Sequence, residues 1–220
     1  WIEDGIAYSS NWADGIVAVD IGAKKHKESD RSKSQFNPLL AKAGQGSPSN
    51  PVKLAEMKDP TGRNHAAFPY LNEETGQFYI IGGDENFPWG VQATKNKPSN
   101  PRGGYHFMNF TDPNNPREDA IYEVPEAGSH NLWIYGDILL AGNYQGGLRI
   151  VDISGELLGD IYKQGREIAH YLSYHKDGRI PNAPMVWGAQ PYKDYIFFSD
   201  MNSGLYCVAY EDEQKTASAE

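Results

Sequence analysis

Two histidines occupy matching places in the sequence and could hold a metal ion. His65 and His130 each precede the first apolar run of a repeated unit. Imidazoles that recur at the starts of such units could converge on one point and bind a divalent transition metal. In a third unit the matching residue is Trp187, which cannot be a ligand. The sequence therefore favours a structural role, in which His130 N–H groups bridge neighbouring units, over a metal site.

Acidic and amide side chains recur at predicted turns, an arrangement that could suggest calcium binding. Calcium needs six to eight oxygen ligands that converge on one point. Here each side chain stands alone at a turn or a strand end, which predicts hydrogen bonds to the local backbone instead. The residues concerned are Asn11, Asp20, Asp84, Asn143, Asp152 and Asp200.

Motifs of the common catalytic classes are absent from the sequence. It contains no Gly-x-Ser-x-Gly, no His-Glu-x-x-His, no phosphate-binding glycine-rich loop and no Cys-x-x-Cys. We therefore expect no cofactor, with a divalent transition metal as the alternative.

Several aromatic side chains are candidates for contact with a partner. As a group they could form a platform for a carbohydrate or a protein, or they could fill the space between units. They are Phe87, Trp89, Tyr105 and Tyr122.

Composition limits the classes of function. The chain has 220 residues and a formal charge of −9, which argues against nucleic-acid binding because the phosphate backbone would be repelled. Aromatic residues make up 12%, and 23 glycines and 14 prolines add many turns, which favours short strands. No apolar run is long enough for a spanning helix. The single Cys207 excludes a disulfide within the chain.

A repeat organises the sequence. Residues 1–21 align without a gap on residues 133–153 at a constant offset of 132, and residues 143–151 align on residues 200–208 at an offset of 57. A looser copy lies between residues 78 and 110. Each copy has an apolar run, a turn that contains Asn or Asp and then Gly, and a second apolar run, which predicts a β-meander.

The repeat predicts an all-β protein, a β-propeller built of antiparallel meander blades. Insertions at the rims of blades would explain the unequal spacing of the copies. We expect four blade units at residues 1–22, 64–124, 129–162 and 184–211, inserted loops at 24–58 and 85–102, and a polar tail at 212–220.

Two of the copies resemble the LVIVD-repeat signature of bacterial propeller proteins. The matching stretches are 147–154 (Gly-Leu-Arg-Ile-Val-Asp-Ile-Ser) and 15–20 (Gly-Ile-Val-Ala-Val-Asp), and residues 112–116 are similar to the family's Asp-Pro-x-x-Pro connector. The last copy departs from the signature, because Val208 is followed by Ala209 and not by Asp. Residues 129–211 resemble the C-terminal portion of such proteins. The resemblance implies an exported or surface protein, hence an extracytoplasmic location, and no particular reaction.

These observations give two functional expectations. The leading one is a non-catalytic scaffold or interaction protein that presents loops 24–58 and 85–102 to a protein partner in an extracytoplasmic assembly. The alternative is a metal-dependent enzyme with a site near the propeller axis that uses His65 and His130.

We also expect the chain to be part of a larger propeller. The strand that begins before Trp133 has no counterpart before Trp1. A protein partner, or the missing N-terminal part of the same propeller, would then pack against both terminal blades. The polar composition of 24–58 predicts that an external protein surface holds this loop.

Overall fold

The computed structural model describes residues 1–27, 36–86, 103–125 and 127–210, and it is all-β. Within these ranges sixteen strands form four sheets, numbered 1 to 4 along the chain. The described residues contain no α-helix; a short 3-10 turn spans Pro38–Ala41. No helix in this part of the chain has the length and apolar character to cross a membrane. The prediction of an all-β protein is confirmed.

The strands of each sheet follow one another as meanders. Sheet 1 contains β1 (Ile2–Glu3), β2 (Ile6–Ser10), β3 (Ile16–Asp20) and β4 (Val52–Met57). Sheet 2 contains β5 (Asn64–Asn72), β6 (Gln77–Asp84), β7 (Gly104–Asn109), β8 (Arg117–Glu123) and the short β12 (Gly159–Asp160). Sheet 3 contains β9 (Leu132–Tyr135), β10 (Ile138–Gly142), β11 (Leu148–Asp152) and β13 (Glu167–Tyr171). Sheet 4 contains β14 (Val186–Tyr192), β15 (Tyr195–Asp200) and β16 (Gly204–Val208). All neighbouring strands are antiparallel except β12 and β8.

Repeated glycines explain why the copies share one register. Gly15 and Gly147 close the turns after β2 and β10 with φ of 77° and 78°. Residues with a Cβ atom rarely adopt this left-handed backbone conformation, so glycine is favoured at both positions. A Cβ atom would also lie 2.2 Å from the Met57 carbonyl oxygen or 2.3 Å from that of Tyr171. The pairings β2–β3 and β10–β11 then match residue for residue at the offset of 132.

Three hydrophobic cores join the sheets in a series. The first lies between sheets 1 and 2 and includes Ile6, Tyr8, Ile16, Phe78, Ile80 and Met108. The second lies between sheets 2 and 3 and includes Tyr79, Tyr105, Phe107, Ile134, Leu139 and Val151. The third lies between sheets 3 and 4 and includes Leu140, Leu148, Ile150, Val186, Ile196 and Phe198. In the described residues no core joins sheet 4 to sheet 1, and no sheet closes into a barrel or a propeller.

The segment 24–58 differs from the loop that the sequence predicted. It contains β4, the outer strand of sheet 1, and its Leu39 and Leu40 are buried in the first core. Its residues 36–58 thus pack on the chain's own sheets, so order in this part needs no external surface. Residues 28–35 lie outside the described part of the chain.

The position of strand β13 shows that the third unit extends beyond its predicted end at residue 162. The strand begins at Glu167, beyond the predicted unit 129–162, and pairs with β11 as the outer strand of sheet 3. Sheet 4 has three strands, and β16 is its outer strand.

Candidate functional site

A cleft of about 540 Å³ lies where residues of all four sheets meet. Its wall carries aromatic and apolar side chains together with one imidazole. Residues that line it include Trp1, His65, Phe68, Trp133, Gln190 and Leu205.

Local structure directs His65 toward this cleft. The register of β5 and β6 shifts between Asn64 and Ala66, so His65 is the extra residue of a β-bulge. Such bulges re-aim side chains and are common beside functional sites. Trp187 occupies the same kind of bulge in sheet 4, between Val186 and Gly188. The repeat thus places one imidazole and one indole in equivalent positions.

Hydrogen bonds between sheets 2 and 3 bring His130 to the same place. The Ser129 hydroxyl donates to the Asp84 carbonyl oxygen at 2.8 Å, and the Asn86 amide donates to the Ser129 carbonyl oxygen at 3.1 Å. Glu85 lies between Asp84 and Asn86, directly after the end of β6. Its carboxylate consequently faces the imidazoles of both His65 and His130.

The three side chains form a compact group. One ligand atom from each lies within 4.8 Å of the other two. His65 Nδ1 is 3.4 Å from Glu85 Oε2, and His130 Nε2 is 3.8 Å from Glu85 Oε1. The two imidazole centroids are 4.4 Å apart. The side chains of His65, Glu85 and His130 are 31%, 28% and 10% exposed, so the group opens to solvent on the side of His65 and Glu85.

Contacts around His130 fix the orientation of its ring and the nitrogen that carries the proton. Its Nδ1 lies 3.2 Å from the Trp187 carbonyl oxygen, which can only accept, so Nδ1 carries the proton. The ring stacks on the Trp187 indole at 5.2 Å and 12°. Burial lowers the pKa of His130, and the neighbouring His65 lowers it further. The imidazole is therefore neutral at pH 7 and leaves the Nε2 lone pair free.

A second cluster lies inside sheet 2 and differs in its electrostatics. His106 Nε2 is 3.3 Å from Asp84 Oδ2, and His106 Nδ1 is 2.5 Å from Glu118 Oε1. Burial disfavours the imidazolium, but these two carboxylates outweigh it and raise the pKa of His106 to about 10. Asp59 completes the cluster. A protonated imidazole cannot ligate a metal, so His106 is itself the cation here.

Two of the four aromatic candidates, Tyr105 and Tyr122, are buried in the sheets. Tyr105 is fully buried, and its hydroxyl donates to the Gly142 carbonyl oxygen at 2.7 Å, which links sheet 2 to sheet 3. Tyr122 is also fully buried, with its hydroxyl donating to Glu167. Tyr105 and Tyr122 therefore fill space between units and do not form a platform for a partner. Phe87 and Trp89 lie outside the described residues.

Most of the turn acids bind backbone N–H groups, although Asp20 also reaches residues 44–46. Asp84 differs from the expectation, because its carboxylate contacts the Thr61 hydroxyl and the His106 imidazole instead of local backbone. Asp20 is fully buried and accepts five backbone N–H groups. Asp152 accepts from the amide and hydroxyl of Ser154. Asp200 accepts from the amides of Met185, Asn202 and Ser203. Since these bonds satisfy the carboxylates, the residues do not gather around a common centre.

Glu85 is the member of the site that the sequence analysis missed. It lies where the predicted loop 85–102 begins, and the residues that follow the matching turn residues in the other units, Trp12, Tyr144 and Met201, are not acidic. Its one sequence signal is its place directly after Asp84, the turn residue of its unit.

Comparisons with known proteins bear on the fold. No family model and no curated protein matches the sequence. Among solved structures, the chain is similar to the crystal structure of the computationally designed Ika4 protein, with a TM-score of 0.51 at 11% identity. The similarity covers 96% of this chain and 88% of the Ika4 chain. At that identity it supports the arrangement of strands and carries no information about activity.

Proposed function

We propose that the four sheets are blades of a β-propeller scaffold that is completed by a second copy of the same chain. The observation that carries this proposal is a match between two faces. The outward faces of sheets 4 and 1 are the repeat equivalents of the two faces by which sheet 3 packs on sheets 4 and 2.

The outward face of sheet 4 carries apolar side chains at interface positions. At the offset of 57, Leu140, Leu148 and Ile150 correspond to Phe197, Leu205 and Cys207. The first three belong to the face of sheet 3 that packs on sheet 4. The second three alternate with side chains of β15 and β16 that pack on the third core. Phe197 and Leu205 also border the cleft, and Leu205 is 75% exposed.

The outward face of sheet 1 is the complementary half. At the offset of 132, Ile134, Leu139, Ala141 and Val151 correspond to Ile2, Ala7, Ser9 and Val19. The first four belong to the face of sheet 3 that packs on sheet 2. On sheet 1 the corresponding side chains are half-buried, and Ile2 is 66% exposed.

A second copy of the chain would cover the outward faces of sheets 4 and 1 at the same time. Sheet 4 of each copy would pack on sheet 1 of the other, and both contacts would repeat the packing between sheets 2 and 3 and between sheets 3 and 4. The two contacts are identical under a two-fold rotation, which closes the assembly. Eight sheets fall within the ~4–8 blades that propellers use.

The scaffold would act through loops at the rims of the blades. Loop 85–102 is the stronger candidate, because residues 36–58 of the other segment are occupied by packing on sheets 1 and 2. Phe87 and Trp89 belong to this loop and are the proposed contacts with a protein partner. The extracytoplasmic location follows from the resemblance to LVIVD-repeat proteins.

Sedimentation or light scattering of the purified chain under reducing conditions tests the assembly. We expect a species of twice 24.5 kDa that dissociates on dilution. Leu205→Glu should weaken association by about tenfold or more, since it places a charge in an apolar contact. Leu158→Glu is the matched control, because Leu158 is 52% exposed and directly precedes β12, which belongs to sheet 2 and to neither of the two faces. A folded wild-type chain that is monomeric throughout the concentration range would overturn the second copy as the occupant.

A metal-dependent reaction in the cleft is a second candidate function. The observation that favours it is the convergence of His65, Glu85 and His130 beside a cavity of about 540 Å³. A metal ion with an open position could bind a small ligand in that cavity. Metal that co-purifies with the wild-type chain in a one-to-one ratio would support this candidate, and a metal-free native protein would oppose it.

A further inference from the structure

We propose that His65, Glu85 and His130 form a binding site for one divalent transition-metal ion, with an open coordination position toward the cleft. This inference goes beyond the scaffold role. It concerns residues at the joint between sheets 2 and 3, which lie within one copy of the chain.

The spacing of the three side chains matches the ligands of an ion better than a set of direct hydrogen bonds. Tetrahedral bonds of ~2.0–2.1 Å place ligand atoms about 3.3–3.4 Å apart. The separation of His65 Nδ1 from Glu85 Oε2 is 3.4 Å, and that of His130 Nε2 from Glu85 Oε1 is 3.8 Å. Both exceed the ~2.7–3.2 Å of an N–H···O hydrogen bond. Shifts of a few tenths of an ångström would let all three atoms contact one ion.

The arrangement of the donors also favours an ion at this point. The two imidazole centroids are 4.4 Å apart, and the Glu85 carboxylate faces both rings. One divalent ion can accept a lone pair from each ring and from the carboxylate at the same time.

The contacts behind His130 resemble those that support metal-bound histidines. Metal-ligating imidazoles usually donate their other N–H to a carbonyl or a carboxylate, which fixes the tautomer and the ring orientation. His130 Nδ1 makes this bond to the Trp187 carbonyl oxygen, and stacking on the indole restricts ring rotation. On the carboxylate side, the Tyr144 hydroxyl donates to Glu85 Oε1 at 3.3 Å.

The donor set defines the class of ion. Two imidazoles and one carboxylate suit Zn²⁺ and other first-row divalent ions, whereas Ca²⁺ and Mg²⁺ prefer oxygen ligands. Three protein ligands leave at least one position free for water or a small ligand. Because His65 lines the cleft, that position faces it.

Titration calorimetry of the chelator-treated chain with Zn²⁺ alone tests the site. The Cys207→Ser background removes the single thiol, which could bind zinc independently. We expect one Zn²⁺ per chain. His65→Ala and Glu85→Gln should each lower the affinity by about tenfold or more, since both residues are partly exposed and tolerate the change.

Controls separate this site from other histidines. His175→Ala is the matched variant, because His175 is exposed and lies outside the cluster, and it should bind Zn²⁺ like the parent. Circular dichroism of each variant verifies folding. A folded parent that binds no Zn²⁺, or His65→Ala with unchanged stoichiometry and affinity, would overturn the site. Neither result would alter self-association, so failure of this site is distinguishable from failure of the scaffold proposal.

Discussion

His106 holds a positive charge in the interior of sheet 2. Asp84 and Glu118 contact its two ring nitrogens, and Asp59 faces the same cluster. Breaking a buried ion pair by removing one partner is costly, because it leaves the other charge uncompensated. The imidazolium is thus part of the structure and not of a reactive site.

The first prediction is that stability falls with rising pH because of His106. The pKa is about 10 in the folded chain and near 6.5 when unfolded, so the folded state binds one more proton between these values. This contribution is complete below pH 6.5 and is lost as the pH rises toward 10, with a slope of roughly 1 kcal/mol per pH unit. Urea unfolding of wild type and His106→Gln across this range measures it.

The difference between the two proteins isolates His106 from other titrating groups. His106→Gln should cost on the order of 3 kcal/mol at pH 6, with the gap narrowing as the pH rises. His170→Gln is the control, because His170 is half exposed and should change stability little. A gap that is constant from pH 6.5 to pH 9 would contradict a charged His106.

At the scale of elements, one carboxylate explains why a polar segment is ordered. Asp20 Oδ2 accepts the amides of Gly44, Gln45 and Gly46, and Oδ1 accepts those of Gly22 and Ala23. These bonds tie the segment that follows the 3-10 turn to the end of β3. Burial opposes the charged carboxylate, yet the five bonds hold the pKa of Asp20 well below its usual range.

Asp20→Asn should therefore loosen the segment 36–58. An amide nitrogen in place of either oxygen faces two or three N–H donors, and the loss should be on the order of 3 kcal/mol. The wild-type contribution is present above pH 4 and is lost as the pH falls further, because the folded pKa is the lower one. Urea unfolding and limited proteolysis measure the change, with Asp14→Asn, an exposed turn residue, as the control. Equal cleavage of this segment in wild type and Asp20→Asn would contradict the anchoring role.

Across the whole molecule, the serial arrangement of cores predicts a gradient of protection. Sheets 2 and 3 each contact two cores, whereas sheet 4 contacts one. In dilute solution, amides of β15 and β16 should exchange with solvent sooner than those of β6 and β7. At high concentration, association should slow exchange in β15, β16, β2 and β3 and leave β6 and β7 unchanged. Hydrogen exchange with mass spectrometry checks this, and a pattern independent of concentration would contradict it.

The sequence predicts the meanders well, because their signals are local. Apolar runs and the turn glycines Gly15 and Gly147 set the strands and their register. The outer strands β4 and β13 were misassigned, since each is separated from its neighbour by a long or irregular connection. Pairing across such a connection depends on tertiary contacts that periodicity does not reveal.

The sequence predicts only part of the candidate site, because contacts between sheets leave no local pattern. His65 and His130 stand at equivalent repeat positions, so their proximity could be expected from the repeat. Glu85 joins them through contacts between two sheets, which no local pattern reports. Tyr105 is not a partner contact, and the sequence does not show this because the bond from its hydroxyl to the backbone of another sheet depends on tertiary packing.

The outer strand of sheet 4 has a consequence for solubility. In the described part of the chain β16 pairs on one side only, and its residues, Gly204–Val208, include no charge and no proline. Natural proteins usually protect such edges, because an unpaired apolar strand can add strands from other molecules without limit. Packing of sheet 4 on sheet 1 of a second copy would cover the face of sheet 4 and leave this edge free. The edge of β16 is therefore a starting point for strand addition in the monomer and in the closed assembly alike.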